Sequence, residues 1–344
     1  MRIWVVGLGT VGQWLLRALD SHSEFLERRY GFTPVVTGAA NARDGFVHRA
    51  AGLDLPTLLG LASAGRRLTD HPGVEHWPTA LEGIRATEAD VLVEVTASPA
   101  DGEPGSAHMR EALGRGLQVV TSNKWPVALH GVELVELAER CGGELRAEST
   151  VMSGTPVLST LVHGLAGAKP LGLRGILNAT ANVIVSAMAT GTSYEDALAE
   201  AQRAGLAERD PGADIDGYDA MAKVMILAAL VFGTQLQPEQ VVRRGISEIE
   251  RDLREVASAG GRMRLVATLE PSGSEDLAAR VEPVALRAWD LLAGVDGVAN
   301  AVVCRADPVG EVTVIGPGAG PELAGQGVLS DLLAVSRVLP RAAR

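Results

Sequence analysis

The stretch Gly7-Leu8-Gly9-Thr10-Val11-Gly12 constrains this chain more than any other segment, because of what flanks it. It follows directly on the apolar run 3–6 and opens a helical pattern that continues to residue 28. A G-x-G-x-x-G placed between a strand and a helix is the fingerprint of a dinucleotide-binding turn. Gly7 permits the tight turn, Gly9 lets the backbone approach a pyrophosphate, and Gly12 lets the helix pack closely on the strand. The anion then rests on the helix N-terminus, where the amides of Thr10 and Val11 precede the first intrahelical bond.

The rest of the first 150 residues repeats that alternation. Segments 3–6, 34–37, 91–95, 117–121 and 144–147 read as strands, and 11–28, 55–65, 107–116 and 132–141 as helices. Near-continuous apolarity in the strands predicts a parallel sheet covered on both faces. After Pro156 the texture changes to helices at 183–190, 194–204 and 218–232, with strands at 171–178, 262–269 and 279–286. That segregation predicts an α+β region with a partly antiparallel sheet. The fold class is therefore α/β: a Rossmann-type, doubly wound parallel sheet with a second α+β catalytic and dimerisation domain. Its expected limits are 1–150, completed by 300–344, for the dinucleotide domain and 151–299 for the substrate domain. The tail enters through Gly316-Pro317-Gly318-Ala319-Gly320, and a helix at 328–338 is expected to pack back on the first domain.

Composition narrows the partners. With 42 acidic residues against 31 Lys and Arg, a formal net charge of −11 and no basic block, nucleic acid and anionic membrane are excluded as natural ligands. The longest apolar run, 224–232, is half the roughly 18 residues of a membrane span, and no cleavable leader pattern precedes the first strand. A cytoplasmic protein with a small-molecule substrate is the expectation. Cys141 and Cys304 lie far apart and the seven His residues are scattered, so neither a disulfide framework nor a zinc site is expected.

Three polar clusters interrupt this apolar frame. Thr121-Ser122-Asn123-Lys124 follows a strand at its carboxyl end, where open α/β sheets bind ligands. Glu148-Ser149-Thr150-Val151-Met152-Ser153-Gly154-Thr155-Pro156 marks the domain junction. The third, Glu208-Arg209-Asp210-Pro211-Gly212-Ala213-Asp214-Ile215-Asp216-Gly217-Tyr218-Asp219-Ala220-Met221-Ala222-Lys223, runs into the apolar helix. Asp216 reads as that helix's N-cap, and Asp219 and Lys223, four apart, share a helical face. Taken alone, the last two are also an ordinary surface ion pair. At the end of the second strand, Gly38-Ala39-Ala40-Asn41-Ala42-Arg43 lacks the carboxylate that holds an NAD ribose, and Arg43 favours NADP over NAD.

The third cluster resembles the E-x-D-P-x-x-D-[VI]-x-G-x-D-x-x-x-K signature of homoserine dehydrogenases. Further motifs agree: Val93-Glu94-Val95-Thr96, Asn123-Lys124-Trp125-Pro126, Gly154-Thr155-Pro156, Gly175-Ile176-Leu177-Asn178, Glu200-Ala201-Gln202, Gly245-Ile246 and the glycine-rich 316–320. The resemblance covers nearly the whole chain. It implies reversible, NAD(P)-dependent interconversion of L-aspartate 4-semialdehyde and L-homoserine, a step toward threonine and methionine, usually in a homodimer. It implies the short form, without a kinase fusion or C-terminal regulatory domain. It further implies a sodium ion on Glu148 and the backbone carbonyls of Val151, Ser153 and Thr155, and a cofactor contact at Thr96. Two loops depart from the family pattern: Asn178-Ala179-Thr180-Ala181-Asn182-Val183 replaces N-G-T-T-N followed by an aromatic, and 148–154 differs from the usual E-A-S-V-x-G-G.

The roles follow from charge type. The oxygen that becomes an alkoxide needs a proton, which Lys223 is suited to supply, while Lys124 offers a second positive charge over the same oxygen or, as a cofactor-binding residue, over the nicotinamide end. Glu208 and Asp214 would hold the substrate ammonium, with Asp219 sharing that task or orienting Lys223. Two other readings share these residues: a dehydrogenase of another amino aldehyde or amino alcohol, and a non-catalytic NAD(P)-binding redox sensor. A sensor would need none of the five charged side chains.

Overall fold

The computed structural model describes residues 1–97, 99–273 and 276–339. Two compact units are formed, one by Met1–Gly154 with the segment from Gly320 onward, the other by Thr155–Ala319.

The first unit is built on a seven-stranded sheet of β1 (Arg2–Val6), β2 (Val35–Asn41), β3 (Gly45–His48), β4 (Glu75–Trp77), β5 (Val91–Glu94), β6 (Gln118–Thr121) and β7 (Leu145–Arg146). Its order is β4-β3-β2-β1-β5-β6-β7. The five strands from β2 to β7 in that order are parallel. Two antiparallel strands, β3 and β4, extend the edge. The sequence reading lacked this pair, because Gly45–His48 and Glu75–Trp77 are too short to show a period.

Apolarity in the central strands has the physical origin anticipated for a doubly covered sheet. Ile3, Val5, Val91 and Val93 face a core with Leu15, Leu19, Leu58 and Leu332. Trp4, Val6 and Leu92 face another with Phe46, Ile84, Met109 and Leu134. Each fully buried side chain of this size contributes about 1.5–3 kcal/mol.

The expected helix 11–28 is two helices, Thr10–Ser21 and Ser23–Tyr30, broken at His22. The expected helix 132–141 begins earlier, at Lys124, and bends at His130. Its Pro126 lies in the first turn, where a proline's missing N–H costs nothing. The C-terminal helix Pro321–Val335 places Val328, Leu329, Leu332 and Val335 in the first unit's core.

The second unit carries a six-stranded sheet of β8 (Lys169–Ile176), β9 (Val241–Arg243), β10 (Arg262–Ser272), β11 (Asp276–Leu286), β12 (Ala299–Asp307) and β13 (Gly310–Pro317), in the order β13-β12-β8-β10-β11-β9. All neighbours are antiparallel except β9 beside β11. Residues 300–319, assigned above to the first domain, belong here instead. β12 is hydrogen-bonded on both edges, to β8 and β13, which locks it into this sheet. Helices Ala179–Met188 and Tyr218–Phe232 pack on the strands. Among the described residues, no helix is long and apolar enough to cross a membrane.

Candidate active site

In the first unit, the carboxyl ends of β1, β5 and β6 are in register, Val6 beside Glu94 and Glu94 beside Thr121. The loops that follow carry the glycine turn, Thr96 and Lys124. Gly7 has φ +109°, and its N–H donates to the Ala40 carbonyl at 2.9 Å. A Cβ on Gly12 would lie 2.0 Å from the Gly7 oxygen, so this helix can approach its strand only with glycine there. Gly9 is the opposite case. It is the N-cap of the helix, and nothing lies within 4 Å of where its Cβ would be. The first intrahelical bond runs from Gln13 N to the Gly9 carbonyl, which leaves the amides of Thr10, Val11 and Gly12 ahead of it. Open space above amides at a helix N-terminus fits a pyrophosphate.

Arg43 is more constrained than its sequence position suggested. Its Nε and Nη2 donate to the two carboxylate oxygens of Asp44 at 2.9 and 2.7 Å. Its Nη1 donates to the Gly65 carbonyl at 2.7 Å, and Nη2 also reaches the Arg66 carbonyl. The Arg43 guanidinium holds the buried Asp44 well below the usual carboxylate range, with help from Asn41 and the Leu68 amide.

Lys124 is the first residue of its helix and Asn123 is the N-cap, although the Asn123 side chain does not cap. Asn123 Nδ2 instead donates to Thr96 Oγ1 at 3.2 Å. Thr96 N–H donates to Glu94 Oε1 at 3.0 Å, and the Thr96 hydroxyl donates to the same oxygen.

Glu148 is buried at 3% exposure and opens a single 3₁₀ turn. Its N–H donates to Asp331 Oδ2 at 2.8 Å. Burial pushes Asp331 up to about 7. Just beyond, Met152 and Ser153 hold φ values of 59° and 54°, a conformation that non-glycine residues keep only where their surroundings impose it. Among the described residues, no group of three or more His, Cys, Asp or Glu is arranged to hold a metal. The carboxylates at this turn are Glu148 and the neighbouring Asp331, so any further ligand of a cation here would be a hard backbone oxygen. Thr155 opens the second unit, where its hydroxyl donates to the Pro317 carbonyl at 3.0 Å.

The second unit gathers the acidic signature around one lysine. Lys223 lies in the second turn of Tyr218–Phe232 and is 7% exposed. Its Nζ donates to the Leu177 carbonyl at 2.6 Å and sits 2.7 Å from Asp219 Oδ2. Asn178 completes the cluster. Its Nδ2 donates to Asp214 Oδ1 at 2.6 Å and to Asp219 Oδ2 at 2.9 Å, while its Oδ1 accepts from the Ala181 amide and caps the helix Ala179–Met188.

Neither Asn178 nor the Leu177 carbonyl was identified as a site group from sequence. The available signals were an Asn before a helical run, which reads as a cap, and its place at the end of the family-like motif 175–178. Glu208 does not join the cluster. It is exposed, and its carbonyl accepts from Gln202 Nε2 at 3.0 Å. Asp216 is not the N-cap it was expected to be, because Gly217 at φ +81° takes that position.

Residues 7–148 match the family described as homoserine dehydrogenase, NAD binding domain, and residues 156–333 match the family described as homoserine dehydrogenase. The chain is 34% identical to an NAD(+)-dependent homoserine dehydrogenase of Pseudomonas canavaninivorans, over 99% of this chain and 97% of that one. It is 33% identical to the homoserine dehydrogenase of Methanocaldococcus jannaschii, over 97% and 98%. A hyperthermophilic archaeal homoserine dehydrogenase solved in complex with NADPH superposes with a TM-score of 0.82 at 31% identity, covering 98% of both chains.

Proposed function

Since this chain belongs to the homoserine dehydrogenase family and is an NAD(P)-dependent oxidoreductase, we propose that Lys223 is its proton donor and acceptor in interconverting L-aspartate 4-semialdehyde and L-homoserine. When bound, the nicotinamide supplies or removes the hydride at the carbonyl carbon. In reduction, Lys223 gives a proton to the oxygen that becomes the hydroxyl; in oxidation it takes that proton back. The observation that carries this reading is the geometry of Nζ, held between the Leu177 carbonyl and Asp219 on a buried, apolar stretch of helix. Because Asp219 Oδ2 accepts from both Lys223 and Asn178, the carboxylate orients the amine. Asp214, bonded to Asn178, is left to hold the substrate ammonium, and Lys124 is the second positive charge of this reading.

The dinucleotide is held by the turn from Gly7 to Gly12 with the amides of Thr10 and Val11, and Thr96 contacts it further along the strand ends. NADP is the preferred form. The support is that β2 ends at Asn41 with no carboxylate there, while the nearest one that follows, Asp44, is occupied by Arg43. A sodium ion on Glu148 and the carbonyls of Val151 and Ser153, with Thr155 as the fourth ligand that the family resemblance supplies, is part of the same reading. So are a homodimer joined through the second unit's sheet or the helices near it, a cytoplasmic location and a place in amino-acid biosynthesis.

The test follows the loss of NADPH absorbance with aspartate semialdehyde, then the gain of NADH or NADPH absorbance when homoserine is supplied with NAD or NADP. Turnover with homoserine and none with longer or shorter amino alcohols is expected. Turnover only with a different amino alcohol would move the substrate, as the Ala179, Ala181 and Val183 replacements allow. Sedimentation giving a monomer at micromolar concentration would remove the dimer.

A further inference from the structure

Glu94 has no part in the reaction as derived above, yet it is the most deeply buried acid of the first unit. It ends β5, is 0% exposed, and stands in a row of strand residues that are otherwise valines and a leucine. A packing role would be met by another valine. An ionisable group in that row is costly unless its oxygens are fully bonded.

Both oxygens are bonded. Oε2 lies 2.7 Å from Nδ1 of His108, itself 4% exposed on the helix Gly105–Gly114. Oε1 accepts from both the N–H and the hydroxyl of Thr96. Among the described residues, His108 is the one ionisable side chain bonded to it. Two hydrogen-bonded paths lead from Glu94 to the start of the Lys124 helix. One runs through Thr96 Oγ1 to the Asn123 amide at 3.2 Å. The other runs from the Glu94 carbonyl, which accepts from Thr121 Oγ1 at 2.7 Å, and that hydroxyl accepts in turn from Asn123 N at 2.9 Å.

The consequence is a fixed polarity. With its proton committed to Glu94, the Thr96 hydroxyl presents only lone pairs to anything else. We propose that Glu94, backed by His108, is a positioning residue: it holds Thr96 as an obligate acceptor for an N–H or O–H donor of the bound dinucleotide and ties the loop that carries Lys124. This rests on the reading that Thr96 contacts the dinucleotide and that Lys124 supplies the second positive charge, and goes beyond it by naming the group that orients them.

The test compares Glu94→Gln with Glu94→Leu in the full-length enzyme. Gln keeps an acceptor toward Thr96 and offers His108 an amide, whereas Leu fills the space and frees the hydroxyl. Dissociation constants for NADPH and NADP, read by fluorescence, come first because they need no turnover. Glu94→Leu is expected to weaken both by about 3- to 10-fold and to lower kcat by roughly 10-fold or more. Glu94→Gln should stay within about 3-fold of the parent for both. If Glu94→Leu does not fold, Thr96→Val and Thr96→Ser replace the pair, with Val expected to show the loss and Ser to restore affinity.

A Glu94→Leu enzyme that binds and turns over normally overturns the proposal. So does a Glu94→Gln enzyme that falls as far as the Leu variant, since charge rather than acceptor geometry would then be at work. If the parent enzyme binds NADPH but ignores homoserine, the functional reading has failed, and the affinity series still decides the role of Glu94.

Discussion

The two units supply chemistry in different forms. In the first, the groups aimed at a ligand are largely backbone: open space over Gly9 and the amides that precede the first helical bond. In the second they are side chains, Lys223, Asp219, Asp214 and Asn178, each held by another. A backbone site is written into a short local motif, because glycine spacing alone shapes it. A side-chain site depends on which distant residues the fold brings together.

The comparison can be broken most directly at Lys223. Lys223→Ala should cut kcat by roughly 10²–10⁴-fold while the NADPH dissociation constant stays unchanged. A near-normal kcat would remove the proton donor and the side-chain character of the second site with it.

The two glycines sharpen the backbone half. Gly9→Asp meets open space, so the melting temperature should hold while a carboxylate at the pyrophosphate position weakens dinucleotide affinity by about 100-fold. Gly12→Ala should do the reverse: its Cβ is driven toward a backbone oxygen, at a stability cost of about 1–3 kcal/mol by thermal denaturation. If both variants lose affinity at full stability, Gly12 is a ligand contact rather than a packing requirement.

Asn178→Ala comes next. It removes a helix cap worth about 1 kcal/mol and also the amide that separates two carboxylates. KM for homoserine is expected to rise several-fold, and a variant that is less stable but kinetically normal would reduce Asn178 to a cap.

The smallest effect concerns Asp44, whose carboxyl is held low by Arg43. A depressed folded-state pKa stabilises above the ordinary carboxylate range, and that contribution disappears as pH falls through the depressed value. The melting temperature of Asp44→Asn should therefore lie below the parent's near pH 6, with the gap beginning to narrow only as pH falls below about 4 and most of it still present at about pH 3. A gap independent of pH would mean that Asp44 acts through shape alone. Arg43→Asp, measured by the ratio of NADP to NAD affinity, separates its role as Asp44's partner from any role toward the 2′-phosphate.

How much of this was legible in the sequence depended on the range of each interaction. The parallel strands of the first unit were readable because residues facing two cores leave an unbroken apolar run, as in Val91, Leu92 and Val93. The edge strands β3 and β4 were not, because three or four residues carry no period. The helix Ala80–Ala86 was overlooked although Thr79 and Glu82 form a capping box that the T-x-x-E spacing announces. In the second unit, β12 and β13 were assigned to the wrong domain, since nothing local says whether a strand pairs with one sheet or another.

The sequence by itself determined the dinucleotide turn, the helix that carries Lys223 and the i,i+4 partnership with Asp219, because each is set by spacing along one element. Only the tertiary structure decided that Asn178 bridges Asp214 and Asp219, that the Leu177 carbonyl receives the amine, that Asp44 claims Arg43 against the Gly65 loop, and that Glu208 stays outside the cluster. Apart from the adjacent Arg43 and Asp44, these pairings join residues some 20 to 46 positions apart. At that range neither charge nor periodicity selects a partner; the packing of helices on a sheet does.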